Sequence, residues 1–161
     1  MLKPHMPAAV KYVITGLLML ASNVNYGFDP DASELKMLGW SNRCLTQNYD
    51  AGATGKLKKW ELTLTANAFI RMRRTYQTGK QEYFSFQLQR LDDMDYIGTV
   101  NNGTIKLRTT DADVIVQTYN DRKGGDVDSM ASVLSIPVKN MEPEMLDSLR
   151  NVLLYFKKRN M

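Results

Sequence analysis

Two segments with alternating apolar and polar residues dominate the hydrophobic pattern of the chain, and they meet at Gln77-Thr78-Gly79. In the first segment, apolar residues occupy most even positions from Trp60 to Met72, while polar or charged residues occupy most odd positions. In the second segment, apolar residues occupy positions 84, 86 and 88. A period of two is typical of a strand with one buried face. We therefore predict a β-hairpin whose two strands face one core.

The register of this hairpin follows from its apolar faces. A slip of one residue would turn one apolar face to water. The loop must therefore contain an odd number of residues, and three residues with Gly79 in the left-handed conformation meet that requirement. The predicted cross-strand pairs are Arg74 with Glu82, Met72 with Phe84, Ile70 with Phe86, and Ala68 with Leu88.

Four further strands are predicted after the hairpin, at residues 96–100, 104–109, 114–119 and 130–138. Turns are expected at residues 92–95 and at Asn101-Asn102-Gly103, and a polar, glycine-rich loop at residues 120–126. The strand at 114–119 has enough continuous apolar character to be central in a sheet. A bend at Ala66-Asn67-Ala68 would divide the long first segment and bring the total to seven strands; without it, six strands remain.

Helical signals lie at the two ends of the chain. Residues 29–38 predict a short helix, capped by Asp31 or Ser33 and ended by Gly39, which would pack as an N-terminal appendage. Residues 40–49 are ambiguous, and residues 50–55 form a loop by composition. Near the C-terminus, the spacing of Met145, Leu149, Val152 and Phe156 predicts an amphipathic helix that Asn140 would cap.

The predicted fold class is α+β, with mainly antiparallel strands. About seven strands would form a bent sheet or open barrel, closed by the C-terminal amphipathic helix. This order of elements resembles the pleckstrin-homology-like architecture, at the level of fold only. The predicted organisation is a short helix with loops over residues 28–57 and the sheet with its helix over residues 58–161. A curved six-stranded sheet that cradles the helix is the alternative.

Residues 1–27 have the layout of a secretory signal peptide. Lys3 and Lys11 precede or border an apolar run at residues 12–21, and a polar stretch follows. This run has about half of the roughly 20 apolar residues that a membrane span needs. We expect cleavage between about residues 21 and 27 and a secreted or periplasmic protein that meets the membrane only transiently. The alternative is a buried N-terminal helix or strand.

Removal of this segment would also remove His5, the only histidine of the chain. The mature protein would then lack histidine-dependent catalysis and histidine-ligated zinc sites. Cys44 is the only cysteine, so no disulfide can form within the chain, and a buried small apolar residue is the expected role. Without Lys3 and Lys11, the formal charge falls from +4 to +2, which is too weak to indicate a nucleic-acid partner.

Arg71, Arg73 and Arg74 form the densest basic cluster of the sequence. Arg71 and Arg73 should project from the solvent face of the hairpin beside Tyr83, where two guanidinium groups could hold an anionic ligand. Arg71, Arg73 and Tyr83 are therefore the candidate ligand-binding residues. The alternative is a strand face that charge protects from aggregation.

Residues 124–128, with Asp126 and Asp128, are the best of several calcium candidates. All of these candidates are weak, because aspartate is also common in turns.

These observations favour a non-catalytic secreted or periplasmic binding module whose partner is another protein or an anionic ligand. We expect no catalytic residue, cofactor or metal. The alternative is a small carboxylate-based hydrolase that acts on an envelope polymer, for which two acids about 5 to 9 Å apart in a cleft would be the mark. A third possibility is that the N-terminus anchors the protein near a membrane in a larger assembly.

Overall fold

The computed structural model describes residues 31–159, and the predicted signal peptide lies outside them. The described residues form an α+β fold with two helices and eight antiparallel strands in two sheets. The helices are α1 (Ala32–Asn48) and α2 (Pro143–Arg159). The strands are β1 (Leu57–Leu64), β2 (Phe69–Tyr76), β3 (Gln81–Gln87), β4 (Leu91–Gly98), β5 (Asn102–Thr109), β6 (Val114–Asp121), β7 (Gly125–Ala131) and β8 (Val133–Lys139).

The predicted hairpin is strands β2 and β3. Its cross-strand pairs Ile70–Phe86, Met72–Phe84 and Arg74–Glu82 have the predicted register. The fourth predicted pair is also in contact, because the Leu88 amide donates to the Ala68 carbonyl at 2.8 Å. The loop has three residues, since Tyr76 N bonds to Lys80 O, and Gly79 takes the left-handed φ of 90°. The structure therefore confirms both the predicted hairpin and its three-residue loop.

The first alternating segment is divided at Ala66-Asn67-Ala68, as predicted, but the division is a hairpin loop and not a bend. Strands β1 and β2 pair antiparallel, and Ala66-Asn67-Ala68 is the loop between them. Ala68 N bonds to Thr65 O at 2.9 Å, and Ala68 adopts a φ of 57°, an uncommon left-handed conformation for alanine. Because this loop also has three residues, even-numbered residues face the same side before and after it. The reversal therefore leaves the period of two intact.

The eight strands divide into a five-stranded sheet, in the order β1-β2-β3-β6-β7, and a three-stranded sheet, in the order β4-β5-β8. Three long segments cross from one sheet to the other: β3 continues into β4, β5 into β6, and β7 into β8. A short 3₁₀ turn, Leu88–Arg90, makes the first of these crossings. The predicted single bent sheet or open barrel is thus two sheets, and no closed barrel occurs within residues 31–159.

Three strand predictions differ from the structure. Residues 92–95, predicted as a turn, lie inside β4. The polar loop predicted at residues 120–126 is shorter, because β6 extends to Asp121 and β7 begins at Gly125. The strand predicted at residues 130–138 is divided near Ser132, where the chain changes sheets. The predicted central strand is confirmed, because β6 lies between β3 and β7.

Helix α1 is longer than predicted. Asp31 caps it in a capping box with Glu34, but the helix continues through Gly39 to Asn48. Its second half contributes Cys44 and Leu45 to the core, and Tyr49 follows them there. It is therefore an integral part of the fold rather than an appendage. The buried position of Cys44 is as predicted, and burial raises the pKa of its thiol.

Helix α2 confirms the predicted C-terminal amphipathic helix. It buries Leu149, Leu153 and Phe156 in the core. It begins at Pro143, so Asn140, which has a left-handed φ of 55°, precedes the helix and is not its cap. Tyr155 and Arg159 of α2 both bond to the buried carboxylate of Glu34, at 2.8 and 2.9 Å, and so join the two helices. Neither helix within residues 31–159 has the length and apolar character that crossing a membrane requires.

Candidate functional site

The outer face of the five-stranded sheet carries two rows of side chains that cross all five strands. Directly opposed residues of antiparallel strands place their side chains on the same face. The first row, called here the Arg73 row, contains Glu61, Arg73, Tyr83, Gln117 and Asp128. The second, the Arg71 row, contains Thr63, Arg71, Ser85, Ile115 and Met130. The three candidate residues of the sequence therefore lie together on one face.

A groove of about 430 Å³ lies over strands β1, β2, β3 and β6 on this face. Arg71, Arg73 and Tyr83 all line it, and most of its other lining side chains are polar: Glu61, Thr63, Thr65, Ser85 and Gln117. Its volume falls in the range of small-ligand sites, roughly 300 to 1,000 Å³. Two cationic groups and several hydroxyl groups thus surround one concave surface.

Arg73 is held in place by neutral neighbours. Its guanidinium carbon lies 4.9 Å from the centre of the Tyr83 ring, a cation–π distance. Gln81 accepts hydrogen bonds from both Arg73 Nη2, at 3.1 Å, and the Tyr83 hydroxyl, at 3.0 Å. Tyr119 packs edge-on against Tyr83, with 5.7 Å between the ring centres. Arg73 Nε is buried and has no hydrogen-bond partner. The side chain is therefore oriented, but one strong donor remains unused.

Arg71 has a similar aromatic support. Its guanidinium carbon lies 5.3 Å from the centre of the Phe69 ring, and the side chain is exposed. In the part of the chain that the structure describes, neither Arg71 nor Arg73 lies within ion-pair distance of a carboxylate, whereas Arg74, Arg90, Arg108 and Arg159 all do. Residues two apart on a strand face the same side, about 7 Å apart. The two cations are therefore placed to contact one anionic ligand.

Glu61 is the one carboxylate among the described residues that line the groove. Lys59 bonds to it at 2.6 Å. The pKa of Glu61 is lowered, mainly by the hydrogen bond and charge of Lys59 and to a smaller extent by the charge of Arg73. Glu61 is therefore a stable anion already paired with a cation. It leaves the positive charge at the centre of the groove largely uncompensated.

Arg74, the third member of the basic cluster, points to the opposite face of the sheet. It is only 8% exposed, and it donates to the Tyr49 hydroxyl at 3.0 Å and to the Ser135 carbonyl at 3.4 Å. Its guanidinium also lies 3.9 Å from the Glu82 carboxylate. The structure thus divides the cluster, with two arginines in the groove and one in the interior.

Several groups around the groove were not predicted from the sequence, among them Phe69 and Gln81, which position the arginines, and Gln117 on β6. The period of two places Phe69 on the face of Arg71, and the predicted register places Gln81 near Arg73, so both contacts follow from the hairpin itself. Gln117 could not be found in this way, because no local signal shows that β6 pairs with β3.

The remaining sequence candidates do not form a site of this kind. Asp126 and Asp128 lie on β7, where they accept hydrogen bonds from Asn120 N and Gln117 Nε2. Within residues 31–159, no cluster of three or more His, Cys, Asp or Glu side chains could hold a metal ion. The groove therefore remains the strongest candidate.

In comparisons with protein-family models, with curated proteins and with solved structures, nothing matched this chain. Its function must therefore be argued from the geometry of the groove.

Proposed function

We propose that the protein is a non-catalytic binding module that holds an anionic ligand, or an acidic group of a protein partner, in the groove of the five-stranded sheet. Arg71 and Arg73 supply the positive charge, Tyr83 supports Arg73, and the hydroxyl groups of Thr63 and Ser85 flank the charge. Arginine suits this role because its planar guanidinium group binds carboxylate and phosphate groups with paired hydrogen bonds.

One observation carries this proposal: two arginines of the groove are packed on aromatic rings without a carboxylate partner, and Arg73 Nε has no hydrogen bond. A buried donor without a partner costs free energy, roughly 1 to 3 kcal/mol. Because Nε has almost no accessible surface, an anion recovers that cost only if the Arg73 side chain shifts on binding. Because Gln81 and Tyr83 already orient the guanidinium group, less side-chain entropy is lost when the ligand arrives.

The alternative of a carboxylate-based hydrolase has weaker support. Its chemistry needs two acids that face one cleft, one of them with a raised pKa. Of the described residues, Glu61 alone brings a carboxylate into the lining of the groove, and its pKa is lowered. A carboxyl group that stays ionised at neutral pH is a poor general acid. We therefore favour binding over turnover.

The pleckstrin-homology-like architecture stays a fold hypothesis. Its support is the C-terminal helix that packs on antiparallel strands; the eight strands in two sheets depart from the expected count. Many domains of that architecture bind phosphoinositides near the first hairpin. An exported protein would not meet those lipids, so we propose no lipid headgroup as the ligand.

Export to the envelope or the medium is part of the same proposal, and it rests on the sequence layout of residues 1–27. We predict that the mature chain from the native host starts between about residues 21 and 28. Intact-mass spectrometry decides this. A soluble cytoplasmic product that retains Met1 would contradict export and would return His5 to the mature chain.

The binding proposal is tested with the double variant Arg71→Ala/Arg73→Ala. The matched control is Arg43→Ala/Arg122→Ala, which removes the same charge from exposed positions outside the groove. Titration with poly-glutamate, and capture of partners from envelope extract, should weaken at least tenfold in the groove variant. A charged hydrogen bond contributes roughly 1.5 to 3 kcal/mol, and 1.4 kcal/mol corresponds to a factor of ten. Equal weakening in the two variants would indicate nonspecific charge attraction and defeat the proposal.

A further inference from the structure

The Arg71 row changes character as it crosses the sheet. On β2 and β3 it consists of the cationic Arg71 and the polar Ser85. On β6 and β7 it consists of Ile115 and Met130, which are directly opposed. These two apolar side chains are 44% and 54% exposed, among the most exposed large apolar residues described. A cationic groove thus borders an apolar patch on the same face.

The apolar patch is unusual for an edge of a sheet. Strand β7 has a paired neighbour on one side only, and nearly all of its residues are exposed. Edge strands are commonly protected by charged residues that discourage association. Here Asp126 and Asp128 supply such charge, yet Met130 and its partner Ile115 remain open on the face of the groove. These two opposed apolar side chains give the face an apolar part beside its cationic groove.

The strand register fixes the distance between Arg71 and the apolar patch of Ile115 and Met130. Adjacent strands lie about 4.8 Å apart, so Ile115 is about 10 Å and Met130 about 14 Å from Arg71 across the sheet. In an extended peptide, side chains at positions i and i+4 face the same side and lie about 13 Å apart. An acidic side chain at Arg71 would therefore place the side chain four residues away on the apolar patch.

We propose, on the basis of the binding function above, that the ligand is an extended segment of a protein partner with an acidic residue at position i and an aliphatic residue at position i+4. The acid occupies the space between Arg71 and Arg73, and the aliphatic side chain covers Ile115 and Met130. The segment runs across the strands. The hydroxyl groups of Thr63 and Ser85 lie beside it as partners for its backbone.

A protein segment fits this surface better than a free alkyl carboxylate or an acidic sugar. Ile115 and Met130 are exposed and do not line the groove, so an alkyl chain that lies on them would stay half in water; a partner protein covers the patch with its own surface. A sugar would need a free aromatic face. The Tyr83 ring already has Arg73 over it and packs against the Tyr119 ring at an interplanar angle of 78°.

The test uses the full chain and four labelled ten-residue peptides with a serine and threonine background. The first has Glu at position 3 and Leu at position 7. The second lacks the Leu, the third lacks the Glu, and the fourth has the Leu at position 6, where an extended peptide directs it away from the protein. Laurate, which represents a free alkyl carboxylate, is titrated in a separate experiment. Fluorescence anisotropy should give a Kd at least tenfold lower for the first peptide than for each of the others.

Two variants assign the parts of the surface. Ile115→Ser/Met130→Ser should abolish the advantage of Leu and leave Glu-dependent binding, while Arg71→Gln/Arg73→Gln should abolish the advantage of Glu. Both pairs lie on the solvent face, and thermal melts check that the variants fold.

Two outcomes would overturn the inference while the proposed function stands: equal Arg-dependent binding of the first, second and fourth peptides, or laurate binding that requires Met130 without a peptide preference. Absence of Arg-dependent binding by every peptide and by poly-glutamate would remove both proposals.

Discussion

Neighbouring arginines on the two faces of the five-stranded sheet differ in how fully the protein itself satisfies their guanidinium groups. On the inner face, Arg74 is 8% exposed and is surrounded by a tyrosine hydroxyl, a carbonyl group, a carboxylate and the Phe84 ring. On the outer face, Arg73 has one aromatic ring and one glutamine amide, and a buried Nε without a partner. The first arrangement is complete within the protein, whereas the second is incomplete.

This difference separates a structural role from the proposed binding role. A buried charge must be paired, because an unpaired one destabilises the fold. A partly exposed guanidinium group can remain available to a ligand. Packing against an aromatic ring fixes the orientation of the group without using its hydrogen-bond donors. We therefore expect changes on the inner face to act on stability and changes on the outer face to act on binding.

The largest effect is expected where helix α2 covers the interior. Leu149 is fully buried, and truncation to alanine should lower the free energy of unfolding by about 2 to 5 kcal/mol through lost contacts and a cavity. Lys157→Ala on the same helix is the control and should cost far less. Denaturant melts measure both. Equal stability of the two variants would show that the inner face does not depend on the helix.

Replacement of Arg74 should have the second largest effect. Arg74→Met keeps much of the side-chain volume but removes the donors to Tyr49 and Ser135, at a cost of about 2 to 3 kcal/mol. The cost is limited because Glu82 keeps two other partners, Lys80 at 3.0 Å and the Tyr76 hydroxyl at 2.7 Å. A loss below about 0.5 kcal/mol in the same melts would mean that Arg74 contributes no more than a surface residue.

The cluster around Glu82 also predicts a dependence of stability on alkaline pH. The pKa of Lys80 is raised, mainly by its hydrogen bond to Glu82, and that of Tyr76 is raised by burial and then by Glu82. Because these values are raised in the folded state, their stabilisation is complete below the ordinary values near pH 10 and is lost as pH rises through the folded ones.

The unfolding free energy should therefore fall above about pH 10, and Lys80→Met/Tyr76→Phe should make that fall shallower. Part of the fall should persist, and begin below pH 10, because the pKa values of Cys44, Tyr96 and Tyr155 are also raised, the first two by burial and the third by the bond to Glu34. Arg71→Ala/Arg73→Ala should leave the pH profile unchanged. Parallel profiles for the native protein and the Lys80/Tyr76 variant would contradict this assignment.

Much of the hairpin was predictable because local signals agree there. The period of two, the odd loop and Gly79 all specify one register. The β1–β2 reversal was missed because its loop has neither glycine nor proline, and Ala68 takes the left-handed conformation in place of glycine. Strand β7 was missed because it is exposed on both faces and so has no alternating pattern. Helix α1 extends beyond Gly39 because its second half packs in the core, which overrides a weak stop signal.

The candidate site was predictable only in part. The parity of the hairpin places Arg71, Arg73 and Tyr83 on the solvent face and Arg74 on the inner face. The groove itself depends on β1, which folds back beside β2, and on β6, which reaches β3 from 30 residues or more away in sequence. Glu61 emerges only from the fold because the β1–β2 reversal was not predicted. Gln117 does so because pairings between distant strands leave no local mark in the sequence.

The smallest stability effect should come from the outer face. Arg71→Ala/Arg73→Ala should change the free energy of unfolding by less than about 1 kcal/mol, because charges near the surface contribute little. Thermal and denaturant melts against the Arg43→Ala/Arg122→Ala control measure this. A loss comparable to that of Arg74→Met would assign Arg71 and Arg73 to the structural class and remove the contrast between the two faces.

The most direct test observes the arginine side chains themselves. Nuclear magnetic resonance of the Nε–H groups, assigned with Arg→Lys variants, can follow Arg71, Arg73 and Arg74 while poly-glutamate or glutarate is added. We predict that the Arg73 and Arg71 signals shift and saturate together, while the Arg74 signal stays in place. Saturable shifts at Arg74 alone, or equal unsaturated drift of all three signals, would contradict the claim that the outer arginines form a binding site.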